Sequence, residues 1–258
     1  ESSDTLVTGK IGVVYKPAPN GSIYAAAATS KLPPGGSNFQ LNANTVNANN
    51  PNLDPQEARN IEIGTKWDVM DGKLALTGAI FRSENKNEIV TDAATNETTQ
   101  LGKRRVQGIE IGAVGQLTPA WQLMTGLAYM DPKITRGSTG GTGPTDGGVI
   151  QWSPKMTFTA WTTYKFPTGL TLGGGARYVD SVARTSATNV SDTTNLPEVP
   201  DYWVFDAMAS YEVTKNIAIQ LNVYNIFDEE YVATINNSGA RYFPGTPRSA
   251  LLTANFKF

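Results

Sequence analysis

Apolar and polar side chains alternate with a period of two along most of this 258-residue chain, and no other feature limits its folding so severely. Ile61, Ile63, Thr65, Trp67 and Val69 interleave with Asn60, Glu62, Gly64, Lys66 and Asp68. Trp203, Phe205, Ala207, Ala209 and Tyr211 interleave with Val204, Asp206, Met208, Ser210 and Glu212. The chain ends the same way, with Ala250, Leu252, Ala254, Phe256 and Phe258 on one face and Ser249, Leu251, Thr253, Asn255 and Lys257 on the other. Consecutive side chains of a strand point to opposite faces, so this spacing predicts strands. Similar patterns near residues 6–16, 22–30, 73–85, 104–117, 121–131, 155–166, 170–182 and 217–223 bring the total to about eleven strands of about 9–13 residues. Globular strands average about 5–6 residues, whereas a tilted strand crossing a bilayer needs roughly 9–11.

The connections alternate in length. Short turns are expected at Pro17–Gly21, Asp71-Gly72, Thr118-Pro119, Pro167–Gly169 and Thr214–Asn216; long loops at about 31–58, 86–103, 132–154, 183–201 and 228–247. Placing every long loop at one end is the topology of an outer-membrane barrel, with short periplasmic turns and long extracellular loops. Aromatic residues agree. Tyr15, Trp67, Trp121, Tyr164, Tyr211 and Phe258 fall on apolar faces beside the short turns, in register for one interfacial girdle. Tyr129, Tyr178, Trp203 and Phe227 lie toward the long loops, placed for a second. The expected fold is all-β: an antiparallel transmembrane β-barrel wall of about eleven strands.

Composition narrows the function. The chain has no His, no Cys and a formal charge of -2. Without imidazole or thiol, Ser-His-Asp hydrolysis, His-ligated metal sites and thiolate chemistry are excluded. No basic footprint marks the chain for nucleic acid. No apolar run reaches the roughly 18 residues of a membrane-spanning helix. Gly173-Gly-Gly175 lacks the strand–helix context of a phosphate loop and reads as room for a close approach or a bend. Asn225-Ile-Phe-Asp228 at a strand end reads as structural, because Asn and Asp there favour turn hydrogen bonds.

Four motifs resemble a known family. Asn222-Val-Tyr-Asn-Ile-Phe-Asp-Glu-Glu-Tyr231 is similar to the penultimate-strand signature of TonB-dependent outer-membrane receptors, and Pro247-Arg-Ser-Ala…Asn255-Phe-Lys-Phe258 to their closing strand. Glu57–Trp67 with Asp71, Gly72, Lys73 and Leu74 resembles their mid-barrel hairpin, and Arg105-Val-Gln-Gly-Ile-Glu110 their recurrent Arg-x-x-Gly-x-Glu strand. The stretch from Tyr24 to Phe39, with Ala28-Thr-Ser-Lys-Leu-Pro-Pro-Gly-Gly36, resembles the branch importing ferric catecholate siderophores. The resemblance implies a barrel of about 22 strands around an N-terminal plug. Residues 1–258 then form the C-terminal half of that barrel, with the plug, the remaining strands and the energy-coupling box upstream.

The resemblance further implies a Gram-negative outer-membrane importer of a ferric siderophore, with no cofactor and no enzymatic step. Its partners would be outer-membrane lipid and the TonB energy-coupling protein, the latter reached through the N-terminal region. A ferric tris-catecholate is bulky, aromatic and anionic, so its site should combine cations with rings. Candidates near the long loops are Arg241, Tyr242, Arg177, Tyr178, Arg184, Arg104, Arg105 and Phe39. Strand neighbours put Arg177 on the lumen face, and Arg241-Tyr242 adjoins the constrained Phe243-Pro-Gly-Thr-Pro247. A passive pore, an adhesin or a phage-binding barrel would use the same strands. A soluble sandwich remains the alternative outside the membrane.

Overall fold

The structure is a computed structural model that describes residues 5–34, 41, 43, 50–91, 98–139, 144–188 and 195–257. Eleven strands form one antiparallel sheet: β1 (Lys10–Ala18), β2 (Gly21–Leu32), β3 (Gln56–Val69), β4 (Leu74–Thr91), β5 (Thr98–Thr118), β6 (Trp121–Arg136), β7 (Met156–Lys165), β8 (Leu170–Val179), β11 (Tyr202–Thr214), β12 (Ile217–Tyr224) and β15 (Ser249–Phe256). Each pairs with the next main strand, so the sheet is a continuous meander with β1 and β15 at its two edges. Among the described residues four short strands lie in the long connections: β9 (Val182–Ala183) pairs with β10 (Glu198–Val199), and β13 (Val232–Ile235) with β14 (Tyr242–Pro244).

Register confirms the two faces. Ala25, Ile63, Ile80, Ile109 and Tyr129 are successive cross-strand partners, forming an apolar row across β2–β6. Phe158, Tyr178 and Trp203 continue that face across β7, β8 and β11. Many of these side chains are exposed, Ile61, Ile80, Ile111 and Leu252 among the large ones. An apolar outer band is expected where lipid is the solvent. The opposite face carries Glu62, Lys66, Glu110, Gln122, Asp206 and Gln220 and is the inward one.

Beside the short turns Trp121 and Tyr164 are direct partners, and the Trp121 indole donates to Thr162 Oγ1 at 2.7 Å. The β3–β4 turn runs through Met70, Asp71 and Gly72 at φ 56°, 58° and 78°, where glycine is the unstrained choice. Phe258, expected in the same girdle, lies outside the described residues. Gly173 and Gly175 face inward beneath Trp161, and a Cβ on Gly175 would meet that indole at 2.4 Å. The triple glycine therefore makes room for an inward tryptophan.

One expected loop is largely strand. β4 has 18 residues and β5 has 21, and pairing continues through Lys86↔Lys103, Glu88↔Gly102, Val90↔Thr99 and Thr91↔Thr98. Water wets both faces of a hairpin beyond the bilayer, so neither face must be apolar and the alternation that reveals a half-buried strand is missing.

Candidate functional site

At the long-loop end cations, rings and exposed loop backbone converge on the inward face, and three of its loops are tied together. Thr188 N–H donates to Pro144 C=O at 2.8 Å, and Trp152 N–H to Ala183 C=O at 3.0 Å, joining loop 137–155 to loop 180–201. Leu196 N–H donates to Gly239 C=O at 3.1 Å, joining the latter to loop 225–248. Arg184 reinforces that seam: Nε donates to Leu196 C=O at 2.9 Å and Nη1 to Asn237 C=O at 3.1 Å.

Loop 225–248 is anchored by Asn225, which is 2% exposed. Its Nδ2 donates to Glu229 C=O (2.9 Å) and Thr246 C=O (3.0 Å), while its Oδ1 accepts from Glu229 N–H (2.9 Å). Asn225 N–H donates to Asp206 Oδ1 at 2.8 Å, and Arg248 N–H to Asp228 Oδ1 at 2.9 Å. Asn225 and Asp228 take φ of 51° and 57°, a region that short polar side chains tolerate. The Asn225–Asp228 motif thus clamps both ends of the last loop, the structural role expected of it.

Above this clamp stands a cation–aromatic cluster. Tyr231 stacks on Tyr202, with centroids 4.3 Å apart and planes at 30°. Arg177, paired with Val204 and Thr159 on the inward face, donates from Nη2 to Tyr231 Oη at 3.4 Å. A Cβ on Gly245 would meet the Tyr231 ring at 2.1 Å, so glycine is required for the ring to lie there. The β13–β14 hairpin rises from this cluster and carries Arg241 and Tyr242 toward its tip, with Tyr242 60% and Phe243 65% exposed. Among the described residues nothing pairs with the Arg241 guanidinium, although its N–H donates to Asn236 Oδ1 at 3.1 Å.

The other expected site residues are scattered. Tyr178 lies on the outward face with its ring centroid 4.9 Å from Trp203, inside an aromatic group that includes Phe158, Phe205 and Phe227. Arg105 shares the outward parity of Ile109 and pairs with Asp131 at 2.7 Å. Arg104 points inward and pairs with Glu88 at 2.7 Å. Burial raises the Glu88 carboxyl, against the pull of Arg104 and Asn85. Arg184 is occupied at the loop seam, and Phe39 lies outside the described residues. Tyr202 and Tyr231 were not among the sequence candidates. The parity of Tyr202 with Val204 and Asp206 signals its inward direction, but Tyr231 lies in a loop, where no periodicity places it.

The family described as "TonB dependent receptor-like, beta-barrel" matches residues 1–226. The catecholate siderophore receptor Fiu of Escherichia coli K12 is 42% identical over 260 residues, covering 99% of this chain and 33% of Fiu. The probable TonB-dependent siderophore receptor PiuA of Acinetobacter baumannii is 38% identical over 268 residues, covering 100% of this chain and 35% of PiuA. The closed-form crystal structure of the ferric-catecholate import receptor Fiu from E. coli K12 superposes with a TM-score of 0.87 at 41% identity, over 98% of this chain and 35% of that one. The siderophore receptor PiuA from A. baumannii gives 0.78 at 38% identity, over 97% and 36%. This chain spans about a third of the length of these relatives.

Proposed function

Since this chain belongs to the TonB-dependent receptor β-barrel family, we propose that it forms the C-terminal part of the barrel of a receptor importing a ferric siderophore, a catecholate, across the Gram-negative outer membrane. The remaining strands, the plug and the contact with TonB belong, in this reading, to an N-terminal region outside residues 1–258. The work of transport is then done on the plug, and the present residues supply the wall and part of the outer binding surface. The relatives named above are siderophore receptors.

The observation that carries the reading is the inward Arg177–Tyr231–Tyr202 cluster beneath the exposed Arg241-Tyr242 pair. Guanidinium groups complement the negative charge of a ferric tris-catecholate, and the phenol rings stack on its catechol faces. The inward wall beside the cluster carries Thr159 and Asp206, polar groups that a hydrated anion can meet.

The test uses the complete receptor carrying this chain. Replacing Arg241 and Tyr242 together with Ala should weaken ferric tris-catecholate binding at least about tenfold, the usual loss when a central Arg and aromatic are truncated. Equal affinity in parent and double variant, measured by fluorescence quenching, removes the pair from the site.

A further inference from the structure

The inward face changes in charge around the sheet. Among the described residues of β3–β5 below the Arg104–Glu88 pair, Glu62, Asp68 and Glu110 face inward with Lys66 as the only cation. On β7, β8 and β11 the inward carboxylates are already engaged. Glu212 pairs with Lys165 at 2.7 Å, and Asp206 Oδ1 accepts the Asn225 N–H at 2.8 Å. The Arg177 guanidinium meets a neutral group there, the Tyr231 hydroxyl. An anion descending the lumen is repelled by the first wall and tolerated by the second.

The tolerant wall carries a ring one row below Arg177. Trp161 follows Thr159, the cross-strand partner of Arg177, by two residues toward the short turn. Strand rise puts it about 7 Å deeper. It is the fifth residue from the short-turn end of β7, near the middle of a span of roughly 9–11 residues. Its indole lies along β8: a Cβ on Gly175 would meet Cε3 at 2.4 Å, and one on Gly173 would meet Cζ2 at 3.2 Å. Glycine allows this close approach of a ring to strand backbone. One indole face therefore covers the glycines, and the other is left toward the lumen. Met208 Cε stands 3.2 Å from the same Gly173 position, and Met124, the cross-strand partner of Trp161, is 58% exposed. These side chains have neither lipid nor core to bury them, and such apolar exposure marks a contact surface.

We propose that Trp161 is a second station for the ferric chelate, receiving a catechol ring as that ring leaves Tyr231. Arg177 adjoins both rings, so it holds the negative charge while the aromatic contact passes one row down. The free indole face offers the stacking surface, and Met124 and Met208 flank it with polarizable, adaptable side chains. Passage then follows β7, β8 and β11 and avoids Glu62 and Glu110. The proposal deepens the reading of this chain as part of a ferric catecholate importer and rests on it. A ring that served only to pack against the plug would be replaceable by another apolar side chain, whereas a stacking ring is replaceable only by a ring.

The test uses cells whose sole importer is the complete receptor, given the 3:1 complex of 2,3-dihydroxybenzoate with radiolabelled ferric iron. Equilibrium binding to de-energised cells reads the outer site and counts folded receptor; uptake by energised cells, per bound chelate, reads passage. Trp161→Leu should bind as the parent does and import at least about threefold more slowly, the worth of one aromatic pair. Trp161→Phe should import at close to the parent rate. Uptake by Trp161→Leu equal to the parent's overturns the station, as does equal slowing by Phe and Leu, which would make the role one of packing. Affinity falling in step with uptake also overturns it, because Trp161 would then belong to the outer site. A parent that neither binds nor imports the complex overturns the importer reading itself, a result distinct from all three.

Discussion

Asn225 carries more of the last loop than any other side chain, because one amide meets two carbonyls and one N–H from both ends of a segment more than 20 residues long. Asn225→Ala strands those groups in a buried setting, and each unmet group costs about 1–3 kcal/mol. We expect loop 225–248 to lose hydrogen-exchange protection and become cleavable by protease, while the sheet amides stay protected. Asn225→Asp should behave almost as badly, since a carboxylate offers no donor to Glu229 and Thr246 carbonyls. Gly245→Ala tests the cluster above the clamp. The added methyl displaces the Tyr231 ring, separating it from Tyr202 and Arg177. Ferric chelate affinity should fall severalfold with thermal stability nearly unchanged, whereas a purely structural Tyr231 would give the reverse.

Elements that reach beyond the bilayer answer to water and pH differently from those inside it. The β4–β5 hairpin projects past the hydrocarbon, and Glu88 lies in that projection beside Arg104. Its folded pKa is raised, chiefly by burial. A raised carboxyl pKa means that folding favours the protonated form. The hairpin end is then most stable below the ordinary carboxylate range and loses that increment as pH rises through the folded titration of Glu88. Hydrogen exchange across 98–104, corrected for intrinsic rates, should show less protection at neutral pH than at mildly acidic pH. In Glu88→Gln the difference should vanish. The neighbouring loops obey a different control, because Arg184 spans the seam between 180–201 and 225–248. Arg184→Ala should loosen both loops together, read as a joint rise in exchange at Leu196 and Gly239.

For the molecule as a whole, the decisive quantity is unpaired backbone at β1 and β15. In hydrocarbon each unmet N–H or C=O costs several kcal/mol, so an open sheet is not a stable membrane structure. Residues 1–258 alone, refolded into vesicles, should remain protease-sensitive or aggregate. Co-refolding with a polypeptide that supplies the other barrel strands should yield a protected, heat-modifiable species. A protected species from residues 1–258 alone would show that this chain closes by self-association.

The sequence by itself determined the strands, their faces and the alternation of turns and loops, because a bilayer enforces a strict period of two and strand lengths that no soluble sheet requires. The parity of Arg105 with Ile109, and of Tyr178 with Ala176 and Gly174, was already legible in it, as was the inward direction of Arg177. Only the tertiary structure decided what depends on contacts distant in the chain. The β4–β5 extension is held by cross-strand hydrogen bonds on a hairpin wetted on both faces, so it leaves no periodic trace. Arg184 is committed to carbonyls 12 and 53 residues away, which removes it from the free cations of the mouth. Tyr231 reaches Tyr202 and Arg177 because the Asn225 clamp folds the loop back over β11 and Gly245 leaves space for the ring. Lipid dictates the wall through local pattern; the mouth is dictated by hydrogen bonds between loops, which local pattern does not encode.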